Sequence, residues 1–319
     1  MTRTFSYDSY SRLNSESVTV DSLTGTSSYG YDNYHRPTTV TYHGGEVVTT
    51  SYGSPGAAVG LSSSVHGTLV DRVSYDEAGR MTALRLPAAG NLWRTQRYYP
   101  WTAKRNGGML ESLKVGLSAG AGERLNRSYA YNYFGDVTAL TEETTSHSFT
   151  YDGLGRLTAA SDSTSSYSRT YSYDGANRLT AFNGQSYGYG DGGPYHAVDR
   201  IGSADRFDYD ANGNMTVRNK GLAGQKTLVW DTQNRLSQVQ DNNGSLLEQY
   251  WYDAAGARVK KTSGATTTYT FFGHYEEEVT NGVTTAISHY SFSGLRVAVK
   301  RGSTLGLSSC SGSASGRDA

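Results

Sequence analysis

Hydrophobic and polar positions alternate along most of this chain with the period of an extended strand. In Ser168-Arg169-Thr170-Tyr171-Ser172-Tyr173, residues Arg169, Tyr171 and Tyr173 fall on one side and Ser168, Thr170 and Ser172 on the other. Tyr129, Tyr131 and Tyr133, separated by Ala130 and Asn132, repeat the pattern. Such alternation, rich in Tyr and Thr, predicts strands. No segment carries a sustained helical stripe, and 83–119 is the one stretch with room for a short helix.

A recurring turn punctuates the strands. Tyr151-Asp152-Gly153-Leu154-Gly155-Arg156-Leu157 returns as Tyr173-Asp174-Gly175-Ala176-Asn177-Arg178-Leu179 and as Trp230-Asp231-Thr232-Gln233-Asn234-Arg235-Leu236. A looser copy is Tyr252-Asp253-Ala254-Ala255-Gly256-Ala257-Arg258, and earlier copies begin at Tyr7, Tyr31, Tyr75 and Tyr131. Tyr52-Gly53-Ser54-Pro55-Gly56 sits where a further turn is due. The copies at 151 and 173, and those at 230 and 252, start 22 residues apart. A fixed period of that order marks stacked supersecondary units. Asp at the first corner, with Gly or Asn three residues on, suits a type I turn running into a left-handed residue. The carboxylate holds a backbone N–H two residues ahead, and Gly or Asn tolerates positive φ. Each repeat reads as a hairpin, and successive hairpins as one antiparallel sheet.

The same reading divides the chain into degenerate repeats over 1–130, regular repeats over 131–262, longer terminal strands over 263–303 and a tail over 304–319. Tyr187 to Val198 carries too many glycines for a plain strand and reads as a longer loop. Asn281-Gly282 predicts a tight hairpin. After Gly302 the alternation stops, and Ser308 to Gly316 is low-complexity sequence, read as disordered or out of frame.

Composition sharpens this picture. The apolar share of the 319 residues is only 36%, and Tyr supplies 26 of the aromatic side chains against 8 Phe and 4 Trp. Tyr buries a ring while its hydroxyl still needs a partner, which favours a sheet with one semi-wet face over a dry aliphatic interior. Formal net charge is zero, so nothing favours nucleic acid or an anionic membrane as a partner. No apolar run is long enough to span a membrane as a helix. Met1-Thr2-Arg3-Thr4-Phe5 enters a strand directly, leaving no room for a signal peptide. The single Cys310 excludes an internal disulfide framework.

Candidate chemistry is sparse. Asp208-Tyr209-Asp210-Ala211-Asn212-Gly213 has the oxygen spacing that opens a calcium loop, but Asn219 stands where a bidentate Glu is needed. The repeat phase already accounts for these acids as turn formers. His35, His43, His66, His147, His196, His274 and His289 are scattered without metal-binding spacing. On a strand, Glu276 and Glu278 face one way and Glu277 the other, which suits a solvated strand end better than an acid–base pair. Asp–Arg pairs such as Asp152 with Arg156 bracket the turns and, exposed, are worth ~0–1 kcal/mol. No Gly-x-Ser-x-Gly elbow is present. No catalytic, cofactor or metal site is assigned, and no enzyme activity is expected.

These residues resemble the Rhs/YD-repeat family, which includes bacterial polymorphic toxins, insecticidal toxin complex shells and the teneurin shell. The likeness is carried by Tyr-Asp-x-x-Gly-Arg-Leu and its variants at 75, 151, 173 and 230, and by Tyr209-Asp210-Ala211-Asn212-Gly213-Asn214-Met215. Gly193-Pro194-Tyr195-His196-Ala197-Val198 is similar to the family's Gly-Pro-His-Ala-Val element with a tyrosine added. Phe271 to Val279 and Tyr290 to Val299 resemble the strands that follow the array. The resemblance implies an all-β spiralling sheet, a partial shell enclosing a C-terminal toxin or effector polypeptide, and a secreted or cell-surface setting. Its partners would be that polypeptide and the remaining shell segments. The family's shell-closing region and a toxin domain are not found by residue 303, so the chain is expected to be a shell segment or a truncated product. Rows of Tyr also suit a carbohydrate-binding module at the cell surface. Aromatic ladders between neighbouring hairpins explain the same residues without a glycan, and that reading is preferred.

Overall fold

A computed structural model provides the structure and describes residues 1–103, 106–190 and 193–307. Among those residues the protein is β-structure with one short 3-10 turn, Pro87–Ala89, inside the stretch that left room for a helix. The strands form two antiparallel sheets of 19 and 11 members. Pairing runs hairpin after hairpin between sequence neighbours, from Thr2–Tyr7 with Leu13–Val20 to Leu295–Arg301 with Thr304–Leu307. The all-β class and the hairpin repeat read from the alternation are the observed ones.

The repeat turn folds as its sequence dictates. In the copy at 151 the Gly155 N–H donates to the Asp152 carbonyl at 3.0 Å and the Asp152 N–H to the Arg156 carbonyl at 3.0 Å. The Asp152 Oδ1 accepts the N–H groups of Leu154 and Arg156 at 2.9 and 3.0 Å. Asp8, Asp32, Asp76, Asp174 and Asp231 make the same pair of carboxylate bonds. Gly155 sits at φ 76°, with Asn177 at 64° and Asn234 at 58° in the matching place. Ser11 and His35 take that left-handed position in the first two repeats, so the turn's hydrogen bonds outweigh the residue preference assumed for Gly or Asn. At Tyr52-Gly53-Ser54-Pro55-Gly56 the same bonds form without an Asp, Gly53 N–H to Ala57 O and Gly56 N–H to Gly53 O.

The chain divides into two compact units. One takes Met1–Gly135, Leu140–Thr144 and the strands from Tyr269 onward; the other takes Asp136–Ala139 and Thr145–Thr268. The first unit has an aliphatic core of the kind composition argued against. Val48, Leu61, Leu69, Val70, Leu84 and Leu86 pack with Tyr290, Phe292, Val297 and Ala298, all buried. This is two sheet layers packed face to face, each supplying its inward-pointing positions. Gly25 makes room for the closing layer, since a Cβ there would lie 2.5 Å from Phe271 Cγ. The second unit matches the semi-wet expectation: among its described residues the fully buried hydrophobic side chains are Ala160 and Val259.

Three local expectations are settled by register. Asn281 and Gly282 have φ of 51° and 79° between the paired Thr280 and Val283, which is the expected tight hairpin. The loop expected over 187–198 is shorter, because Gln185–Tyr189 is a strand whose Tyr187 and Tyr189 pair with Ile201 and Val198. Gly188 fits there by close approach, as a Cβ would meet Arg200 Nε at 2.8 Å. The tail expected from 304 begins later, because Thr304–Leu307 is a strand paired with Leu295–Arg301. Its Leu-Gly-Leu sequence hid the alternation. The rest of that tail, with Cys310, lies outside the described residues.

Candidate functional site: a clamp between repeats, two unlike faces and a buried polar seam

The acid and the base of each turn reach beyond the turn. Arg156 Nε and Nη2 both lie 2.7 Å from Asp152 Oδ2. The guanidinium lies 4.8 Å from the ring centroid of Tyr173 in the next repeat, and its Nη1 donates to the Asp174 carbonyl at 3.0 Å. Tyr173 in turn donates its hydroxyl back to the Leu157 carbonyl at 2.9 Å. Arg235 repeats all of this with Tyr252 and the Asp253 carbonyl. Arg12 over Tyr31, Arg36 over Tyr52, Arg80 over Tyr98 and Arg178 over Tyr189 repeat the stacking. Where Trp230 replaces the Tyr, its Nε1 donates to the Met215 carbonyl at 2.8 Å. The Asp152 carboxyl is held below its ordinary range, chiefly by the Arg156 N–H, with desolvation opposing and the Arg156 side chain adding. A pair read from sequence as a local bracket is therefore the joint between consecutive hairpins.

Those joints give the second unit two unlike faces. Directly paired residues point to the same side of a sheet. One side carries Tyr151 with Leu157, Phe149 with Ala160, Tyr171 with Phe182, Tyr173 with Leu179, Leu228 with Val239 and Trp230 with Leu236. The other carries Thr150 with Ala159, Ser172 with Ala181, Thr227 with Gln240, and Gln249 with Thr262. On the first side the clamp Tyr hydroxyls are bonded to backbone carbonyls, so the rings present their apolar bodies while the polar tips are satisfied.

The first unit holds a polar seam inside its core. Glu46 accepts hydrogen bonds from Ser63 Oγ at 2.5 Å, Tyr290 hydroxyl at 2.7 Å and Lys300 Nζ at 3.2 Å. Burial pushes its carboxyl up, and those three donors together hold it below its ordinary value. Tyr42 donates to the His289 carbonyl at 2.9 Å and stacks on Tyr290 at 5.8 Å. His274 lies against Tyr42 and Phe272, with ring centroids at 4.4 and 5.3 Å, and its Nε2 is 3.1 Å from Ser27 Oγ. Burial lowers that imidazole to about 4. His43, His66 and His289 border the same seam through Tyr275, Tyr290 and Glu276 respectively. The sequence offered one unused signal: Glu46 occupies the turn position where Arg12, Arg36, Arg80, Arg156, Arg178 and Arg235 stand in their repeats.

The remaining candidates are placed as follows. Asp208 bonds Lys220 at 2.8 Å while Asp210 holds the N–H groups of Asn212 and Asn214, so the two acids serve a salt bridge and a turn. His196 is exposed beside Tyr195, with ring centroids 4.9 Å apart. His35 lies 3.1 Å from Arg12, and His147 packs edge-on to Tyr167. Glu276 and Glu278 bond Thr270 and Arg301, whereas Glu277 accepts from Tyr275; the three are half-buried within the strand Tyr275–Thr280 and not at a solvated strand end, because each carboxylate has a side-chain partner there. Among the described residues no group of three or more His, Cys, Asp or Glu converges as a metal-binding set.

Hairpins joined by an Asp–Arg–Tyr clamp, with one aromatic and one hydroxyl-rich face, define a wall built of stacked β-repeats. Residues 108–252 match the family model Teneurin YD-shell, so this stretch is similar to the YD/Rhs-repeat shell family. A TcdB2-TccC3 crystal structure superposes with a TM-score of 0.73 over 93% of this chain at 15% identity. A TcdB2-TccC3-Cdc42 structure gives 0.72 over 95% at 16% identity, and the Photorhabdus luminescens Tc holotoxin pore gives 0.71 over 90% at 15%. This chain spans 17 to 18% of the length of those chains. No curated protein sequence matches it.

Proposed function

We propose that this chain is a structural, non-catalytic wall segment of a YD-repeat shell that encloses a toxin or effector polypeptide. The carrying observation is the contrast between the two faces of Thr145–Thr268, one richer in Tyr, Leu and Phe and the other richer in Ser, Thr and Gln. An apolar, aromatic face with satisfied hydroxyls suits an unfolded chain, which offers apolar side chains at no fixed register. The family setting supports a secreted or cell-surface location for the assembled shell. Among the described residues no helix is long and apolar enough to cross a membrane.

Two tryptophans report on the two faces. Trp230 pairs with Leu236 on the apolar side, whereas Trp251 pairs with Lys260 on the other. Adding a permanently unfolded polypeptide, such as reduced and alkylated lactalbumin, is expected to change tryptophan fluorescence saturably. The change should survive Trp251→Phe and vanish in Trp230→Tyr, a substitution that restores the usual repeat residue. Loss of the signal in Trp251→Phe alone would contradict the proposal. A second reading, a glycan-binding module, draws on the exposed Trp101 beside a groove of about 500 Å³ that also contains Ser74, Thr82 and Thr95. Saturable binding on a glycan array, abolished by Trp101→Ala, would favour it.

A further inference from the structure

The apolar face also carries charges, among them Arg169 and the Lys261–Glu248 ion pair, and at one point two of its cations stand directly opposite each other. Arg218 and Lys226 are directly paired across neighbouring antiparallel strands. Arg218 is also paired with Phe207, in a strand whose Tyr209 belongs to the apolar face, and Lys226 alternates with Leu228 and Trp230 of that face. Like charges directly opposite each other destabilise a sheet. The other cations near this point are answered: Lys220 bonds Asp205 and Asp208, and Arg206 bonds the Lys220 carbonyl. Asp208 is paired with Val217, which puts it on the opposite face, and the Asp241 carboxylate is committed to the Asn243 and Ser245 N–H groups. Among the described residues no carboxylate lies within ion-pair distance of Arg218 or Lys226. Both side chains are half-buried, so part of their hydration is already lost.

We propose that Arg218 and Lys226 form an anchoring site for an acidic residue of an extended polypeptide lying on this face. A carboxylate between them would relieve the like-charge opposition and accept charge-assisted hydrogen bonds from both. Phe207, Tyr209 and Leu228 flank the pair on the same face, so the preferred segment sets an Asp or Glu among apolar residues. The site rests on the reading of this face as the one that meets the enclosed polypeptide, and adds to it a charge preference within a neutral chain. Two cations fixed across one strand pair read a single acid at one register, which an evenly apolar wall does not do.

The test uses the whole chain and three fluorescein-labelled synthetic peptides of one length, alternating Leu with Asp, Asn or Lys. The Asp-Leu peptide is expected to bind about tenfold more tightly than the Asn-Leu peptide, as charge-assisted bonds exceed neutral ones by that order. The advantage should shrink with added salt. Arg218→Gln with Lys226→Gln should bring the Asp-Leu peptide to the Asn-Leu affinity, whereas the swap Arg218→Lys with Lys226→Arg should retain the preference. If the double Gln variant does not fold, Lys226→Gln alone should lose most of the difference. Equal binding of the Asp-Leu and Asn-Leu peptides to the unmodified protein overturns the anchoring site and leaves the apolar wall standing. Failure of all three peptides to bind overturns both. Tighter binding of a single-stranded oligonucleotide than of the Asp-Leu peptide would assign the pair to nucleic acid and also overturn the proposal.

Discussion

Replacing Glu46 by Ala should loosen the first unit where its two layers meet. The carboxylate is the common acceptor of Ser63, Tyr290 and Lys300, and Tyr290 is 0% exposed. Removing it leaves a buried hydroxyl and a mostly buried ammonium without their acceptor. Breaking one partner of a buried pair costs about 3–5 kcal/mol. Glu46→Gln keeps an acceptor for Tyr290 but turns donors towards Lys300, so roughly half of that loss is expected. Site-resolved hydrogen exchange separates the layers from the rest of the chain. Amides of Val283–Phe292 and Leu295–Arg301 should exchange at least a hundredfold faster in Glu46→Ala, at about tenfold per 1.4 kcal/mol. Amides of Leu246–Tyr252 in the second unit serve as the internal reference and should barely change. Equal acceleration in both places, or none at the seam, would refute the assignment of Glu46 as the acceptor that joins the layers.

Other consequences can be checked alongside it. Acid should weaken the same seam: the His274 imidazole is lowered from 6.5 to about 4, so its contribution is complete above pH 6.5 and is lost as pH falls towards 4. Glu46, also held low, adds a loss at the acid end of that range, and urea melts followed by pH should show His274→Phe flattening the upper part of the slope. Gly155→Val should cost about 1–3 kcal/mol from positive φ alone, because no atom lies within 4 Å of the new Cβ; Gly155→Asn, which copies Asn177 and Asn234, should cost far less in the same denaturation assay. Tyr252→Phe should cost about 1 kcal/mol by removing the bond to the Leu236 carbonyl, with exchange rising at both Leu236–Gln240 and Leu246–Tyr252 because each repeat leans on the next.

The parts of the structure legible in the sequence are those whose causes are local. The Asp152 turn spans five residues and carries its own hydrogen-bond partners, so its form follows from the residue types. Alternation likewise placed Arg169, Tyr171 and Tyr173 on one side. What alternation cannot supply is the identity of whatever covers a face. Tyr290 meets Glu46 across 244 residues of chain, and no periodicity connects the two. For the same reason four histidines read as scattered lie along one seam. The stacking of Arg156 on Tyr173 falls between these cases. Both residues stood in the motif, yet their contact depends on register across the intervening hairpin.

The central claim is that the aromatic face of the repeat wall is the one that meets polypeptide. Leu228 and Val229 are adjacent in one strand and point to opposite faces, Leu228 with Val239 and Val229 with Gln238. A photo-reactive phenylalanine analogue at either position, in protein loaded with an unfolded polypeptide, tests that claim with the two sites differing only in face. Cross-linking from position 228, with little or none from 229, is the predicted result. Equal cross-linking from both, or a preference for 229, would contradict it.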